Sequence, residues 1–108
     1  MQPEPPYYAV IFTSQLRVTE LREYDSTAQA MLSLARTMPG YLGYESAHES
    51  GFGVTVSYWD SLEAIAAWRD HEDHRRAREN GRALWYARFD VRIARVERTY
   101  GWSFDAKD

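Results

Sequence analysis

Residues 57–68 have the sequence SYWDSLEAIAAW, in which a strand pattern changes directly into a helix pattern. The β-branched and aromatic residues up to Trp59 favour a strand, whereas the residues after Ser61 favour a helix. Asp60 or Ser61 can cap that helix, because short polar side chains accept hydrogen bonds from its first free N–H groups. A tryptophan on each element can pack a core or line a cavity for a flat, apolar ligand.

The sequence before this junction predicts a strand, a helix and a hairpin. We expect strands at residues 7–15, 41–49 and 54–59 and a helix at about residues 19–38. Apolar side chains in the helix recur at steps of three and four, and Pro39-Gly40 ends it. The turn signal Ser50-Gly51-Phe52-Gly53 makes the two strands that flank it an antiparallel hairpin.

The sequence after the junction predicts a broken helix and a long strand. Asp70, with Asp73 three residues later, is a candidate second cap, so we expect the helix to stop and restart there. The last strand is predicted at about residues 86–100. Its apolar pattern changes face at Ile93-Ala94, which implies a bulge or a change of packing partner. Such a change is expected if the end of the strand reaches another subunit.

The predicted order, β-α-β-β-α-β, is that of a ferredoxin-like α+β fold with an antiparallel sheet. Helices on one side leave the other sheet face uncovered, so we expect two sheets to close face to face in a homodimer. The domain is expected to span residues 7–102, with an extended or disordered leader at 1–6 and a tail at 103–108.

Composition limits the classes of function that this chain can have. A length of 108 residues fits one domain, and 13 basic against 16 acidic residues argue against a nucleic-acid partner. No apolar run approaches the roughly 20 residues of a membrane span, so we expect no membrane partner. The absence of cysteine excludes disulfides, thiol nucleophiles and cysteine-based metal sites, and is compatible with a cytoplasmic protein.

Several short motifs together resemble the antibiotic biosynthesis monooxygenase family. They are MPGYLG at residues 38–43, VTVSYW at 54–59, AW at 67–68 followed by His71 and His74, and ARVER at 94–98. The match runs roughly from Tyr7 to Trp102. The resemblance implies a dimeric α+β barrel. Some members oxygenate activated polycyclic phenols or anthrones without metal or flavin, whereas others bind and degrade haem.

The haem-degrading branch provides a test of this resemblance. It has a tryptophan pair nine residues apart, which Trp59 and Trp68 match, and an iron-binding histidine ten residues after the second tryptophan. That position holds Arg78, whose guanidinium cannot donate a lone pair to iron. His74 lies about one helical turn short of it. We therefore expect no cofactor and disfavour haem.

The candidate catalytic residues are His71 and His74, which stand three positions apart. The pair could bind a metal, but no third ligand is identifiable, so we expect no metal site. A histidine beside the substrate could instead accept a phenolic proton near neutral pH. Trp68 is either a pocket wall or part of the core, and Trp59 is assigned to the core.

Three other side chains are candidates for substrate binding. Arg78 belongs to an arginine-rich helical segment, in which most charges are expected to pair on the surface and one could hold an anionic oxygen. Gln15 closes the first strand and Tyr44 lies on the second, where polar groups can orient a ligand or be ordinary strand residues. Trp85 and Trp102, which flank the last strand, are expected in the dimer interface.

The leading functional prediction is a cofactor-independent monooxygenase. Its substrates would be dioxygen and an activated aromatic or polycyclic molecule of the anthrone or phenol type, held in an aromatic-lined cavity. A haem-degrading monooxygenase and a non-catalytic, ligand-binding dimer remain alternatives, because one fold serves many functions.

Overall fold

The computed structural model describes residues 3–17, 22–80 and 85–104. Its elements, in chain order, are β1 (Tyr7–Leu16), α1 (Arg22–Ala35), β2 (Tyr41–Glu49), β3 (Phe52–Trp59), α2 (Leu62–Asp70), α3 (Glu72–Asn80) and β4 (Tyr86–Val96). This order confirms the ferredoxin-like α+β fold, with the second helix in two pieces. Residues 19–21 of the predicted first helix, and Gly81, lie outside the described residues.

The strands form one antiparallel sheet in the order β2-β3-β1-β4. Tyr8 lies opposite Trp59 on one side and opposite Arg95 on the other. Side chains alternate between the two faces of a strand, so Tyr8, Val10, Phe12 and Ser14 share one face. Tyr7, Ala9, Ile11, Thr13 and Gln15 share the other.

The helices pack against the face that carries Trp59. Trp59 is fully buried and forms a core cluster with Ala35, Ile65 and Trp68. Partly buried side chains complete this packing, and they are Tyr8, Val10, Met31, Leu34, Met38, Tyr41 and Ala64. We call this side of the sheet the helix-facing side and the other the helix-free side.

The hairpin between β2 and β3 turns on two residues in the left-handed region. Ser50 has φ 53° and Gly51 has φ 83°, which matches the twist that two-residue hairpins require. Because the turn is this short, β3 begins at Phe52, two residues earlier than predicted.

The caps of the broken helix differ from the prediction in one place. Ser61 caps α2, since its Oγ accepts a hydrogen bond from the N–H of Ala64 at 3.0 Å. Asp70 is wrong as the second cap, because it is the last residue of α2. His71 takes that position instead, and its carbonyl accepts from the N–H of Arg75 at 2.9 Å.

Of the two explanations for the change of face in the last strand, the bulge is wrong, whereas a change of packing partner on another subunit stays a prediction. β4 keeps one register along β1 from Val96 to Arg88, and the irregularity falls at Gln15/Leu16. The physical reason is that β4 is an edge strand exposed on both faces. Its apolar residues can therefore change face without a change of backbone phase. The strand ends at Val96, so the predicted extension to residue 100 is not strand.

Candidate functional site on the helix-facing side

Three rings form a stack where β3 meets α2 and α3. The ring of Trp68 lies 5.9 Å from that of Trp59, with 25° between their planes. The His74 ring lies 4.2 Å from the Trp68 ring, with 21° between planes. Trp68 is only 9% exposed. It therefore belongs to the core cluster, and only a small part of its ring is left for a ligand.

His74 is held in one tautomer by the backbone. Its Nδ1 lies 3.0 Å from the carbonyl oxygen of Trp68, and a carbonyl can only accept, so Nδ1 carries the proton. The other nitrogen, Nε2, then carries a lone pair in the neutral ring. Burial lowers the pKa of His74, and the nearby Arg78 and His71 lower it further against the raising effect of the Trp68 carbonyl. The ring is therefore neutral at neutral pH, as a general base must be.

Arg78 adds hydrogen-bond donors to this site. Its Nη2 donates to the carbonyl of Arg69 at 3.1 Å. Its Nε is buried and, within the described part of the chain, has no hydrogen-bond partner. An unpaired buried N–H is costly unless something binds to it. The guanidinium lies close enough to His74 to lower the pKa of that ring, and its positive charge is suited to an anionic oxygen.

His71 shapes the site mainly through its backbone. Its N–H donates to the Trp68 carbonyl at 3.2 Å, and its own carbonyl starts α3. The side chain is half-buried and makes an interaction of its own. His71 therefore lies at the break that turns α3 and brings His74 back over Trp68.

Tyr44 lies on the same side of the sheet, one strand away. It is opposite Ser57 in the β2–β3 register, and Ser57 Oγ accepts from Trp59 Nε1 at 2.9 Å. Tyr44, Ser57 and Trp59 are therefore neighbours. The structure thus brings Tyr44, Trp68, His74 and Arg78 to the helix-facing side.

Gln15 is separated from this group. It lies on the helix-free side of β1, and its Nε2 donates to the carbonyl of Ser50 at 3.5 Å. Gln15 supports the hairpin turn in this position.

A second aromatic group on the helix-facing side was missed by the sequence reasoning. Tyr86 contacts Phe12 and Phe89 at 5.5 Å each, and its hydroxyl lies 3.4 Å from that of Tyr24. Trp85 packs edge-on against Tyr24 at 5.4 Å and is 7% exposed, so it belongs inside the subunit rather than in a dimer interface. The alternation of β1 was the available signal, since it places Phe12 beside Tyr8 and Val10.

A groove of about 330 Å³ lies between α1 and α3, lined by Ser26, Thr27, Ala30, Met31, Arg76, Ala77 and Asn80, without an aromatic ring. Among residues 3–17, 22–80 and 85–104, no three His, Asp or Glu side chains converge as a metal site requires. No described helix combines the length and apolar character needed to cross a bilayer.

Sequence comparison identifies the class of protein to which this chain belongs. The profile of the antibiotic biosynthesis monooxygenase family matches residues 7–80. The chain therefore belongs to that family, as the motifs predicted. It is 53% identical over 97 residues to the uncharacterised protein YqjZ of Bacillus subtilis (strain 168), covering 89% of this chain and 84% of that protein.

Solved structures agree on the fold. SnoaB, a cofactor-independent oxygenase from Streptomyces nogalater, superimposes with a TM-score of 0.71 at 11% identity, covering 94% of this chain and 100% of SnoaB. A conserved protein from Methanosarcina mazei Go1 gives a TM-score of 0.75 at 10% identity, with 83% of this chain and 92% of that protein covered. At these identities the likeness concerns the fold alone.

Proposed function

We propose that this protein is a cofactor-independent oxygenase of a flat, phenol-bearing aromatic substrate of the anthrone type. The observation that carries the proposal is the proximity of His74, a neutral ring whose Nε2 carries a lone pair, to Arg78, whose buried Nε–H has no hydrogen-bond partner among the described residues. Family membership and the fold shared with a cofactor-independent oxygenase support it.

The first step is removal of a proton from the substrate. His74 Nε2 takes a proton from the acidic CH₂ of the central ring, and the negative charge of the resulting carbanion delocalises onto the oxygen of the ring carbonyl. Arg78 Nε–H donates to that oxygen, which favours the anion because charge-assisted hydrogen bonds are the strong ones. Trp68 holds the His74 ring in place, and Tyr44 borders the substrate.

The second step forms the new carbon–oxygen bond. The carbanion gives one electron to dioxygen, and the resulting substrate radical and superoxide combine into a peroxide. Protonated His74 returns its proton to the outer oxygen. Loss of water from the hydroperoxide then leaves a carbonyl, so that one CH₂ and one dioxygen become one C=O and one water. The substrate supplies all the electrons.

The test is oxygen consumption with dithranol, a 1,8-dihydroxyanthrone, by protein treated with a chelator and checked for bound flavin. The His74→Ala variant should lose about 100-fold or more of the rate, the usual effect of removing a general base. His48→Ala is the matched control, because His48 is an exposed histidine on β2 beside Gly53. Equal rates in the wild type and His74→Ala would contradict the mechanism.

The pH dependence gives a second readout in the same assay. His74 acts in its neutral form, and its pKa lies below the ordinary histidine value of 6.5. The rate should therefore be level across neutral pH and fall only at pH values below that figure, as the ring becomes protonated. A rate that still rises between pH 7 and 9 would assign the proton transfer to another group.

We also propose that the working form is a homodimer joined through the helix-free side of the sheet. Ile11, Val54 and Val56 lie on that side and are only half-buried, and Phe52 is 40% exposed. Beyond β4, three aromatic side chains project from the chain, Tyr100, Trp102 and Phe104, each at least 84% exposed. A second copy is the partner that supplies a complementary surface to both features.

A further inference from the structure

Part of the helix-facing side is an open apolar strip. Val91 and Ile93 of β4 lie there, opposite Phe12 and Val10 of β1, and are 51% and 54% exposed. The rings of Phe12 and Phe89 stack beside them at 5.4 Å. Exposed apolar residues on the same sheet face as Trp59 are the kind of floor on which a flat ring system lies.

Two phenol hydroxyls stand at one end of this strip. The Tyr86 hydroxyl donates to that of Tyr24 at 3.4 Å, and their rings meet at 89°. Hydroxyl–hydroxyl bonds are usually 2.7–2.8 Å long, so this bond is a weak one. Each hydroxyl can donate and accept, and a ligand oxygen that bonded both at a shorter distance would improve on it.

The protonation of Tyr86 favours a donor role for its hydroxyl. Burial raises the pKa of Tyr86 well above its usual range, and the hydroxyls of Tyr24 and Tyr44 raise it further. Tyr86 therefore keeps its proton at any pH at which the protein works. Phe12 and Phe89 fix its ring on two sides, so the position of the hydroxyl is defined.

We infer that the strip and the Tyr24–Tyr86 hydroxyl pair form a specificity subsite for an oxygen-bearing outer ring of a polycyclic substrate. The ring lies on Phe12, Val91 and Ile93, and its hydroxyl or carbonyl oxygen bonds to the two tyrosines. This inference deepens the proposed function and rests on it for the identity of the substrate. The protein should therefore bind tricyclic ketones with outer-ring hydroxyls more tightly than those without them.

The subsite can be tested by binding without oxygen. Dithranol and anthrone share one ring system and differ in two outer-ring hydroxyls, so the ratio of their Kd values isolates the contribution of those hydroxyls. Trp85, 5.4 Å from Tyr24, provides a fluorescent reporter beside the pair. In anaerobic titrations the wild type should bind dithranol about ten times more tightly than anthrone, as expected for one or two net hydrogen bonds.

Tyr86→Phe and Tyr24→Phe should each reduce that ratio to about three or less while leaving anthrone binding unchanged. Both variants keep the ring, so the packing around Phe12 and Phe89 is retained, and thermal melts will verify the fold. The control is Tyr58→Phe, because Tyr58 lies on the helix-free side and its hydroxyl donates to Glu45 at 2.9 Å.

Each outcome decides the inference. An unchanged ratio in Tyr86→Phe, or equal binding of the two ligands by the wild type, would overturn it, as would the absence of binding to either ligand. Because oxygen is excluded, the result is separate from the proposed reaction. A protein that discriminates as expected but consumes no oxygen would keep the subsite and refute the oxygenase.

Discussion

The carbonyl oxygen of Trp68 ties the candidate site to the end of α2. It accepts a hydrogen bond from the N–H of His71 at 3.2 Å and from Nδ1 of His74 at 3.0 Å. The same residue supplies the ring on which His74 lies. The tautomer, tilt and depth of the histidine are therefore set by one neighbouring residue.

Truncation of Trp59 and truncation of Trp68 should differ in how much folding stability and how much activity are lost. Trp59 is fully buried and its Nε1 bonds to Ser57, so Trp59→Ala should destabilise by about 3–5 kcal/mol, the usual cost of truncating a buried tryptophan. Trp68 keeps 9% exposure, and Trp68→Ala should cost less stability but more activity, because His74 loses its support. Thermal melts and the dithranol assay measure the two effects. If Trp68→Ala melts at or below Trp59→Ala, its role is packing alone.

The position of Arg78 predicts that haem does not bind as an axial histidine complex. It stands ten residues after Trp68, where the haem-degrading branch has its iron-binding histidine, and its Nη2 is bonded to the Arg69 carbonyl. One equivalent of haemin should therefore give no sharp Soret shift of an axial histidine complex. Such a shift, if His74→Ala abolished it, would make haem degradation the leading function.

At the scale of elements, the contact between Gly40 and α2 holds the second strand against the helix. Gly40 has φ 88°, and a Cβ there would meet both Ala64 Cβ and Asp60 Oδ1 at 2.5 Å. Gly40→Ala is thus strained by its backbone and blocked by its surroundings, and should cost more than the roughly 1 kcal/mol that a glycine change usually involves. The measurement is the urea midpoint of unfolding.

Gly101→Ala is the control for that measurement, because a Cβ at Gly101 would meet no atom within 4 Å. The control should unfold like the wild type. If Gly40→Ala does so too, the close approach of β2 and α2 is not what holds this corner of the fold.

The elements show what the sequence could and could not predict. The junction at residues 57–68 and the helix break were predictable, because caps and periodicity act over a few residues. The break was placed one residue early, since Asp70 competes with His71 for the cap and side-chain preference alone does not separate them. On β4, the change of face at Ile93-Ala94 suggested a slip of register, because the sequence does not show that this strand lies at the edge of the sheet with both faces exposed.

The residues of the candidate site also fall into those that the sequence could predict and those that it could not. Trp68, His74 and Arg78 were found because they lie within eleven residues on consecutive helices. The Tyr24–Tyr86 pair was not found, because its members are 62 residues apart and meet only when α1 crosses the sheet. Gln15 was grouped with the site by its position at a strand end, although the phase of β1 directs it to the other face.

At the scale of the whole molecule, the exposed apolar surface predicts a dimer of about twice 12.6 kDa by light scattering. Three aromatic side chains that bury about 150–250 Å² each would contribute roughly 600 Å² of buried surface per subunit. The two subunits together, with the area of the sheet faces added, would reach the roughly 1,200–2,000 Å² that a stable interface buries. In a double Trp102→Ser, Phe104→Ser variant the dimer should be weaker, so that it separates into monomers at a higher protein concentration than the wild type does. The reason is that both side chains are at least 84% exposed within the subunit and are available to the partner. The variant should keep its fold, since neither residue contacts the core cluster. A wild-type protein that scatters as a monomer at micromolar concentration would contradict the dimer and leave the helix-free side without its proposed partner.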